Sequence, residues 1–170
     1  TGNYTGLSAG TYNYTVSDTK GCTATASVTI TQPPVLAATG TPTAVSCNGG
    51  SDGTITITAS GGTSPYTGTG TFTGISAGSY SYTVRDNAGC TVQVPISITQ
   101  PLALSVSAIP QSVSCFNGNN GSVVISASGG TAPYTGVGTF TGLSAGSYTY
   151  NVSDIKGCTK SVSFSISQPS

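Results

Sequence analysis

The chain contains few of the residues on which catalysis and nucleic-acid binding usually depend. Its 170 residues include no His, Glu, Met or Trp, and only four Lys or Arg and four Asp. General acid–base catalysis needs a positioned side chain with a tuned pKa, and a Ser or Cys nucleophile usually needs a neighbouring base such as His. Nucleic-acid binding needs clustered cations, whereas the net charge here is zero. We therefore predict that the chain is neither an enzyme nor a nucleic-acid-binding protein.

Long apolar runs are also absent, so no segment of the sequence predicts a membrane span. Low charge and few large apolar residues sometimes indicate disorder, which usually also brings a high net charge and few aromatic residues. Here nine Tyr, four Phe and many Val, Ile and Thr stand in alternating patterns, and no segment has helical periodicity. These features predict a folded all-β chain with a hydroxyl-rich surface.

The most prominent positive feature is an internal repeat of 68 residues without gaps. Residues 33–100 and 101–168 align with 38 identities in 68 positions. A fixed period of this length indicates tandem structural units. We predict three segments: 1–33 is the C-terminal half of a repeat, and 34–101 and 102–169 are complete repeats. We expect the natural protein to be a longer array.

Each complete repeat has the turn and strand signals of a small immunoglobulin-like β-sandwich. For residues 34–101 the alternation predicts strands at 35–39, 44–47, 54–60, 80–84 and 92–98, with a further extended segment at 65–75. A Gln-Pro pair follows the last strand with almost no linker. Because Pro fixes φ, this junction predicts a stiff rod rather than a flexible string.

Five cysteines recur with the repeat, at Cys22, Cys47, Cys90, Cys115 and Cys158. Small domains bury little core and often need disulfides, which form in oxidising compartments. We favour pairing within each repeat, Cys47 with Cys90 and Cys115 with Cys158, because both pairs are 43 residues apart. The alternative, Cys22 with Cys47 and Cys90 with Cys115, would link neighbouring repeats. Zinc is not expected, since the chain has no His and no CxxC motif.

The pattern GxSAGxYxYxVxDxxGCT, together with segments 47–53 and 61–66, resembles the SprB-type repeat of very large surface adhesins in gliding Bacteroidota. The resemblance implies an extracellular, cell-surface fibre that type IX secretion exports and that contacts environmental surfaces or polysaccharide during attachment or gliding. An alternative function is a structural subunit that assembles with other copies of itself into a filament or surface layer. Low charge bears on this alternative, because neutral copies do not repel each other.

One acidic residue recurs in each unit, at Asp18, Asp86 and Asp154, shortly before a Gly-Cys pair. We interpret these residues as turn-capping groups whose carboxylates accept backbone N–H groups. A Ca²⁺ site at Asp52 and Asp86 is the alternative, although calcium needs several oxygen ligands, and Asn120 replaces Asp52 in the next copy. We expect no other cofactor.

Paired tyrosines also recur, two residues apart on one predicted strand. Two residues that are two apart face the same side of a sheet, so each pair packs on one face. We interpret them as core residues with hydroxyls at the rim, and a sugar-stacking platform is the alternative. The pairs are Tyr12 with Tyr14, Tyr80 with Tyr82, and Tyr148 with Tyr150.

Overall fold

The computed structural model describes residues 2–170, and these residues form β-strands and no helix. The prediction of an all-β tandem array of small immunoglobulin-like β-sandwich modules is therefore confirmed. No membrane-spanning helix occurs within residues 2–170. The segment limits at residues 34 and 102 stay a prediction, and Thr1, the first residue of segment 1–33, lies outside the described residues. Below, the first repeat is residues 34–101, the second repeat is 102–169, and the N-terminal hairpin is the strand pair that precedes them.

The first repeat is built from two antiparallel sheets. One sheet has the order β3-β4-β5, and the other is the hairpin β6-β7. Alternating apolar residues on β4 and β7 point inwards, which is the period-two pattern of strands with one buried face. The strands are β3 (Ala37–Thr43), β4 (Gly53–Ser60), β5 (Gly70–Ile75), β6 (Gly78–Arg85) and β7 (Thr91–Ile98).

The second repeat has the same arrangement with one additional short strand. Its sheets have the orders β11-β9-β8 and β10-β12-β13. In the first repeat the position of β10 is an isolated bridge between Thr67 and Arg85. The strands are β8 (Ser105–Gln111), β9 (Gly121–Ser128), β10 (Tyr134–Thr135), β11 (Gly138–Leu143), β12 (Gly146–Asp154) and β13 (Thr159–Ile166).

Each repeat has its own hydrophobic core between its two sheets. In the first repeat Ile55, Ile57 and Val84 are at most 1% exposed, and Phe72 and Tyr82 pack against them. The second repeat places Val123, Ile125 and Val152 at the equivalent positions. No buried side-chain polar atom of the described residues is without a hydrogen-bond partner. The repeated alternation in the sequence thus produces two separate small cores.

Strand direction gives each repeat two distinct ends. In the first repeat the chain enters beside the β6–β7 turn and leaves where β7 ends at Ile98. We call these the leading end and the trailing end. The loop after β3 also lies at the trailing end. Thr43, the last residue of β3, pairs with Thr54 near the start of β4. Gly53, the first residue of β4, pairs with Ile75 at the end of β5. The trailing end of the first repeat therefore faces the leading end of the second.

Two expectations about the chain path were wrong. Residues 44–47 are not a strand, because Val45 N–H bonds to Thr99 and Ser46 N–H bonds to Asp52 rather than to a neighbouring strand. The linker is also longer than predicted, since residues 99–104 separate β7 from β8. Hydrogen bonds nevertheless hold this segment, including one from Gly130 N–H to Leu102 O.

The N-terminal hairpin consists of β1 (Gly10–Ser17) and β2 (Thr23–Ile30). These two strands pair antiparallel over their whole length, from Gly10 with Ile30 to Ser17 with Thr23. The same register joins β6 to β7 and β12 to β13. Within residues 2–170 no third strand joins the hairpin.

Candidate functional site

A short loop at the trailing end of the first repeat carries Cys47. The loop closes on itself through hydrogen bonds from Gly50 N–H to Cys47 O, at 2.9 Å, and from Ser46 N–H to Asp52 Oδ1, at 2.9 Å. Val45 at its base is 3% exposed and donates its N–H to Thr99 O. A buried apolar anchor and three hydrogen bonds therefore fix the position of the cysteine.

The same loop holds the segment that leads to the next repeat. Gly49 donates its N–H to Gln100 Oε1 at 2.8 Å, and Asn48 donates its side-chain N–H to Pro101 O at 3.0 Å. In the second repeat Asn117 donates to Gln168 Oε1 at 3.1 Å, so this brace recurs. The repeated Gln-Pro pair is visible in the sequence, but spacing alone predicted no role for its glutamine. Its recurrence was the signal of this contact.

A tight turn at the leading end of the second repeat carries Cys158. Asp154 Oδ1 accepts the N–H groups of Lys156 and Cys158, both at 2.9 Å. Its other oxygen, Oδ2, accepts the N–H of Thr131 at 2.8 Å, which ties the turn to the loop that follows β9. Asp154 is 5% exposed and has a satisfied hydrogen-bond set. This carboxylate thus fixes the orientation of the cysteine turn.

Asp86 and Asp18 occupy equivalent turns in the other two units. Asp86 accepts Cys90 N–H at 2.8 Å and Thr63 N–H at 2.9 Å, and it is as buried as Asp154. Asp18 accepts the N–H groups of Lys20 and Cys22 but is exposed. The structure therefore places all three carboxylates on backbone donors within their turns.

The turn carboxylates of Asp86 and Asp154 have a pKa below the ordinary value of aspartate. The N–H of Thr63 is the largest cause that lowers the pKa of Asp86 below its ordinary value, and those of Cys90 and Gly89 add to it. Burial acts to raise the pKa of Asp154, but the N–H groups of Thr131 and Cys158 outweigh it, and that pKa is lowered too. Hydrogen bonds to the charged form favour that form, so each turn is strongest when its aspartate is ionised.

A disulfide joins the two cysteines across the junction of the repeats. Cys47 of the first repeat is bonded to Cys158 of the second, 111 residues later. Cys22, Cys90 and Cys115 are exposed and free. The predicted pairs, Cys47 with Cys90 and Cys115 with Cys158, were wrong, and so was the alternative that joined Cys22 to Cys47 and Cys90 to Cys115. Each set nevertheless contained one correct feature. The observed bond joins one early and one late cysteine, as in the predicted pairs, and it links neighbouring repeats, as in the alternative.

Distance along the sandwich excludes pairing within a repeat. Cys90 precedes Thr91, where β7 begins, whereas Cys47 lies in the loop bound to Thr99 and Gln100, beyond the end of that strand. Seven residue steps at ~3.3 Å separate the two ends by roughly 23 Å. Disulfides need Cα atoms within about 7 Å of each other. Counting strand directions would have placed the two cysteines of one repeat at opposite ends.

The junction is also lined by polar and small residues of both repeats. One groove of about 500 Å³ is bordered by Val45, Ser46, Thr131 and Lys156. Ser46 lowers the pKa of Asp52 through its hydrogen bonds, and the charge of Lys156 from the next repeat adds to this effect. The disulfide, the braced Gln100-Pro101 segment and this electrostatic contact therefore meet at one place, which we call the repeat junction.

The two candidate calcium ligands do not come together. Asp52 lies beside Gly53 at the trailing end, and Asp86 lies beside Arg85 at the leading end of the same repeat. No group of three or more potential metal ligands occurs among residues 2–170. In the second repeat Asn120 Oδ1 accepts Ser114 N–H as Asp52 accepts Ser46 N–H, so an amide can take the same structural place.

The paired tyrosines lie partly inside the sandwiches. Tyr82 contacts Phe72 with ring centroids 4.7 Å apart, and Tyr150 contacts Phe140 at the same distance. Tyr80 donates its hydroxyl to Ser76 O at 2.9 Å, and the equivalent bonds recur in the other units. Each pair is thus engaged by neighbouring rings and backbone. The remaining members are Tyr12, Tyr14 and Tyr148.

Comparison with protein families gives one result. The SprB repeat family matches residues 39–67 and 107–135, at equivalent positions of the two repeats. The predicted resemblance to the SprB-type repeat is confirmed in these two segments. The family is a structural repeat, and it indicates a repeat region of a Bacteroidota surface adhesin, for which adhesion and an extracellular location follow. Comparison with curated proteins and with solved structures gives no significant match.

Proposed function

We propose that this chain is a disulfide-linked stalk segment of a cell-surface adhesin fibre that projects from the cell for attachment or gliding. The observation that supports this role is the bond between Cys47 and Cys158. Neighbouring SprB repeats are thereby joined at two points, by the peptide chain and by the disulfide. Two connections restrict bending more than one, so force and orientation pass along the array. The role is mechanical rather than catalytic.

The partners that we propose are environmental surfaces or polysaccharide. Exposed cross-strand hydroxyl pairs provide a weakly charged, hydroxyl-rich surface, for example Thr39 with Thr58 and Thr56 with Thr71. Such a surface is suited to a stalk that must stay hydrated without strong charge. We propose no calcium or other cofactor for the junction, because it is closed by a disulfide and backbone hydrogen bonds.

Lateral assembly into a filament is the second candidate, and three of the edge strands disfavour it. Strands β3, β7 and β8 are each at the edge of a sheet and contain Pro42, Pro95 and Pro110, respectively. Proline at an edge strand removes a backbone donor and opposes the addition of another strand. We therefore expect negative-stain images to show single thin beaded fibres rather than ordered multi-strand filaments.

The experiment that tests the stalk is small-angle scattering on arrays of three and six repeats. A sandwich with strands of this length contributes roughly 30–40 Å per repeat, so we expect the maximum dimension to grow linearly with repeat number. Slower growth would contradict a stiff stalk.

A variant series separates the two connections. Insertion of a flexible Gly-Ser linker at Pro101 removes the stiffness of the peptide junction, and Cys47→Ser removes the disulfide. We expect the double change to shorten the mean end-to-end distance more than either single change. If the doubly changed array is as long as the parent, the junction does not hold the repeats in line.

A further inference from the structure

The N-terminal hairpin exposes apolar residues whose counterparts in the first repeat are buried. Val16 is 58% exposed, whereas its counterparts Val84 and Val152 are fully buried. Val28 is 52% exposed, and Ile96 at the equivalent position is 8% exposed. In each repeat a three-stranded sheet covers these positions. The hairpin therefore has the inner face of a SprB sandwich, and this face is open to solvent.

A groove beside this hairpin, at the leading end of the first repeat, is also partly apolar and open to solvent. It has a volume of about 420 Å³ and is lined by Pro34, Leu36, Thr63, Asp86 and Cys90, among others. Cys90 is exposed and free. The groove combines an apolar wall with a thiol that a braced turn holds in place, since Asp86 accepts Cys90 N–H.

The second repeat shows what binds at the equivalent place. There the leading end contributes Leu104, Cys158 and Thr159 to a groove, and Cys47 and Asn48 of the preceding repeat form its other wall. Leu104 corresponds to Leu36 and Cys158 to Cys90, each 68 residues apart. In the structure, the loop that carries the cysteine of one repeat thus lies against the groove at the leading end of the next repeat.

We propose that the hairpin face and the Cys90 groove form one docking surface for the first half of another SprB repeat. This half, of the kind formed by residues 34–68, carries both elements that the surface needs. Its strands supply Ile55 and Ile57, which cover the counterpart of Val16, and its loop supplies the cysteine. The disulfide links the cysteine of the docked loop to Cys90, as Cys47 is linked to Cys158. One partner thereby accounts for two separate exposed features.

The covalent step is a two-electron oxidation. The thiol of Cys90 and the thiol of the docked loop lose two protons and two electrons in total, and one sulfur–sulfur bond forms. A low-molecular-weight disulfide such as oxidised glutathione accepts the electrons and protons, and its own sulfur–sulfur bond is replaced by two thiols. The exchange proceeds through a mixed disulfide.

The test uses the full chain with a copy of residues 34–68 placed directly before residue 1. After oxidation with a glutathione buffer, free thiols are blocked and the protein is digested with trypsin. We expect the added cysteine to be linked to the peptide 86–156, which contains Cys90. The extended chain should keep two free thiols, Cys22 and Cys115, whereas the parent has three.

Matched variants identify the linked residue, because peptide 86–156 also contains Cys115. Cys90→Ser should abolish the link in the extended chain, and Cys115→Ser should leave it unchanged. A link from the added cysteine to Cys22 would overturn the proposal. An added cysteine that stays free, or a link between Cys90 and Cys115 of separate molecules, would also overturn it.

A readout without cysteine chemistry tests the hairpin face. Val16→Asp should leave the Tm of the parent nearly unchanged, because Val16 is exposed there. In the extended chain the same change should lower the Tm by about 5 °C or more, since it buries a charge. Equal shifts in both chains would overturn docking on this face. Stalk stiffness is measured separately by scattering, so failure of the stalk and failure of this docking surface are distinguishable.

Discussion

A Cβ atom on Gly62 would lie 2.5 Å from Oδ2 of Asp86, the carboxylate of the turn that carries Cys90. The same relationship recurs between Gly130 and Asp154, at 2.6 Å. Both glycines have positive φ, 55° and 56°, which side chains rarely adopt. The recurring Gly-Gly pair is therefore needed for the close approach of the cysteine turn as well as for the bend.

Replacing Gly62 should destabilise the first repeat more than replacing a glycine in open space. Gly62→Ala adds a steric conflict with Asp86 to the cost of positive φ, and overpacking of this kind costs about 1–3 kcal/mol. Gly74→Ala is the matched control, because Gly74 has φ of 74° and its nearest non-neighbouring atom is 3.9 Å away. Urea unfolding measures both. Equal losses would show that the contact with Asp86 is unimportant.

Much of the fold could be predicted because period-two alternation and turn residues are local signals. The strands around Ile55, Tyr82 and Val94 follow directly from them. The predicted strand at 44–47 was wrong, because its backbone N–H groups bond to Thr99 and Asp52. Thr99 is distant in sequence, and Asp52 lies on the far side of a turn. Sequence spacing does not reveal such partners.

The disulfide could not be predicted from spacing because equal separations do not show which end of a sandwich a cysteine occupies. Cys47 and Cys90 share one repeat but lie at opposite ends of β7. Cys47 and Cys158 belong to different repeats but meet where those repeats are stacked. Only the strand directions, taken together with the stacking of units, distinguish these pairs.

The buried turn aspartates should make stability depend on acid. Because the pKa of Asp86 is lowered in the folded state, its contribution is complete above its ordinary value, near 3.9, and is lost as the pH falls through the lowered value. We expect the free energy of unfolding of the parent to decrease below about pH 4, and Asp86→Asn to weaken this dependence. Denaturant unfolding at several values between about pH 2 and about pH 7, which lie on both sides of the ordinary pKa of aspartate, measures this free energy.

At neutral pH Asp86→Asn should lower the Tm modestly and to the same extent with calcium or with chelator. The amide keeps one acceptor oxygen but loses the charge that the N–H groups of Thr63 and Cys90 favour. Asp52→Asn is the control, because Asn120 already makes the equivalent bond in the second repeat. A calcium-dependent rise of the parent Tm that Asp86→Asn removes would instead indicate a metal site.

Removing the disulfide should strongly destabilise the linked repeats. In the chain-entropy model a loop of 111 residues contributes about 5 kcal/mol to the free energy of unfolding. Cys47→Ser removes this contribution, whereas Cys115→Ser changes an exposed free thiol in the equivalent loop and should cost less than about 0.5 kcal/mol. Unfolding curves without reductant compare the two. Similar losses would mean that the bond does not stabilise the pair of repeats.

Disulfide mapping tests the covalent link between repeats most directly. Trypsin cleaves after Lys20, Arg85, Lys156 and Lys160, so Cys47 falls in peptide 21–85 and Cys158 in the tetrapeptide 157–160. With free thiols blocked beforehand, mass spectrometry without reductant should find this tetrapeptide joined to peptide 21–85, in the parent and also in Cys22→Ser, because this peptide contains Cys22 as well as Cys47. If the tetrapeptide is instead joined to peptide 86–156, Cys158 is linked to Cys90 or Cys115 and the junction described here is wrong.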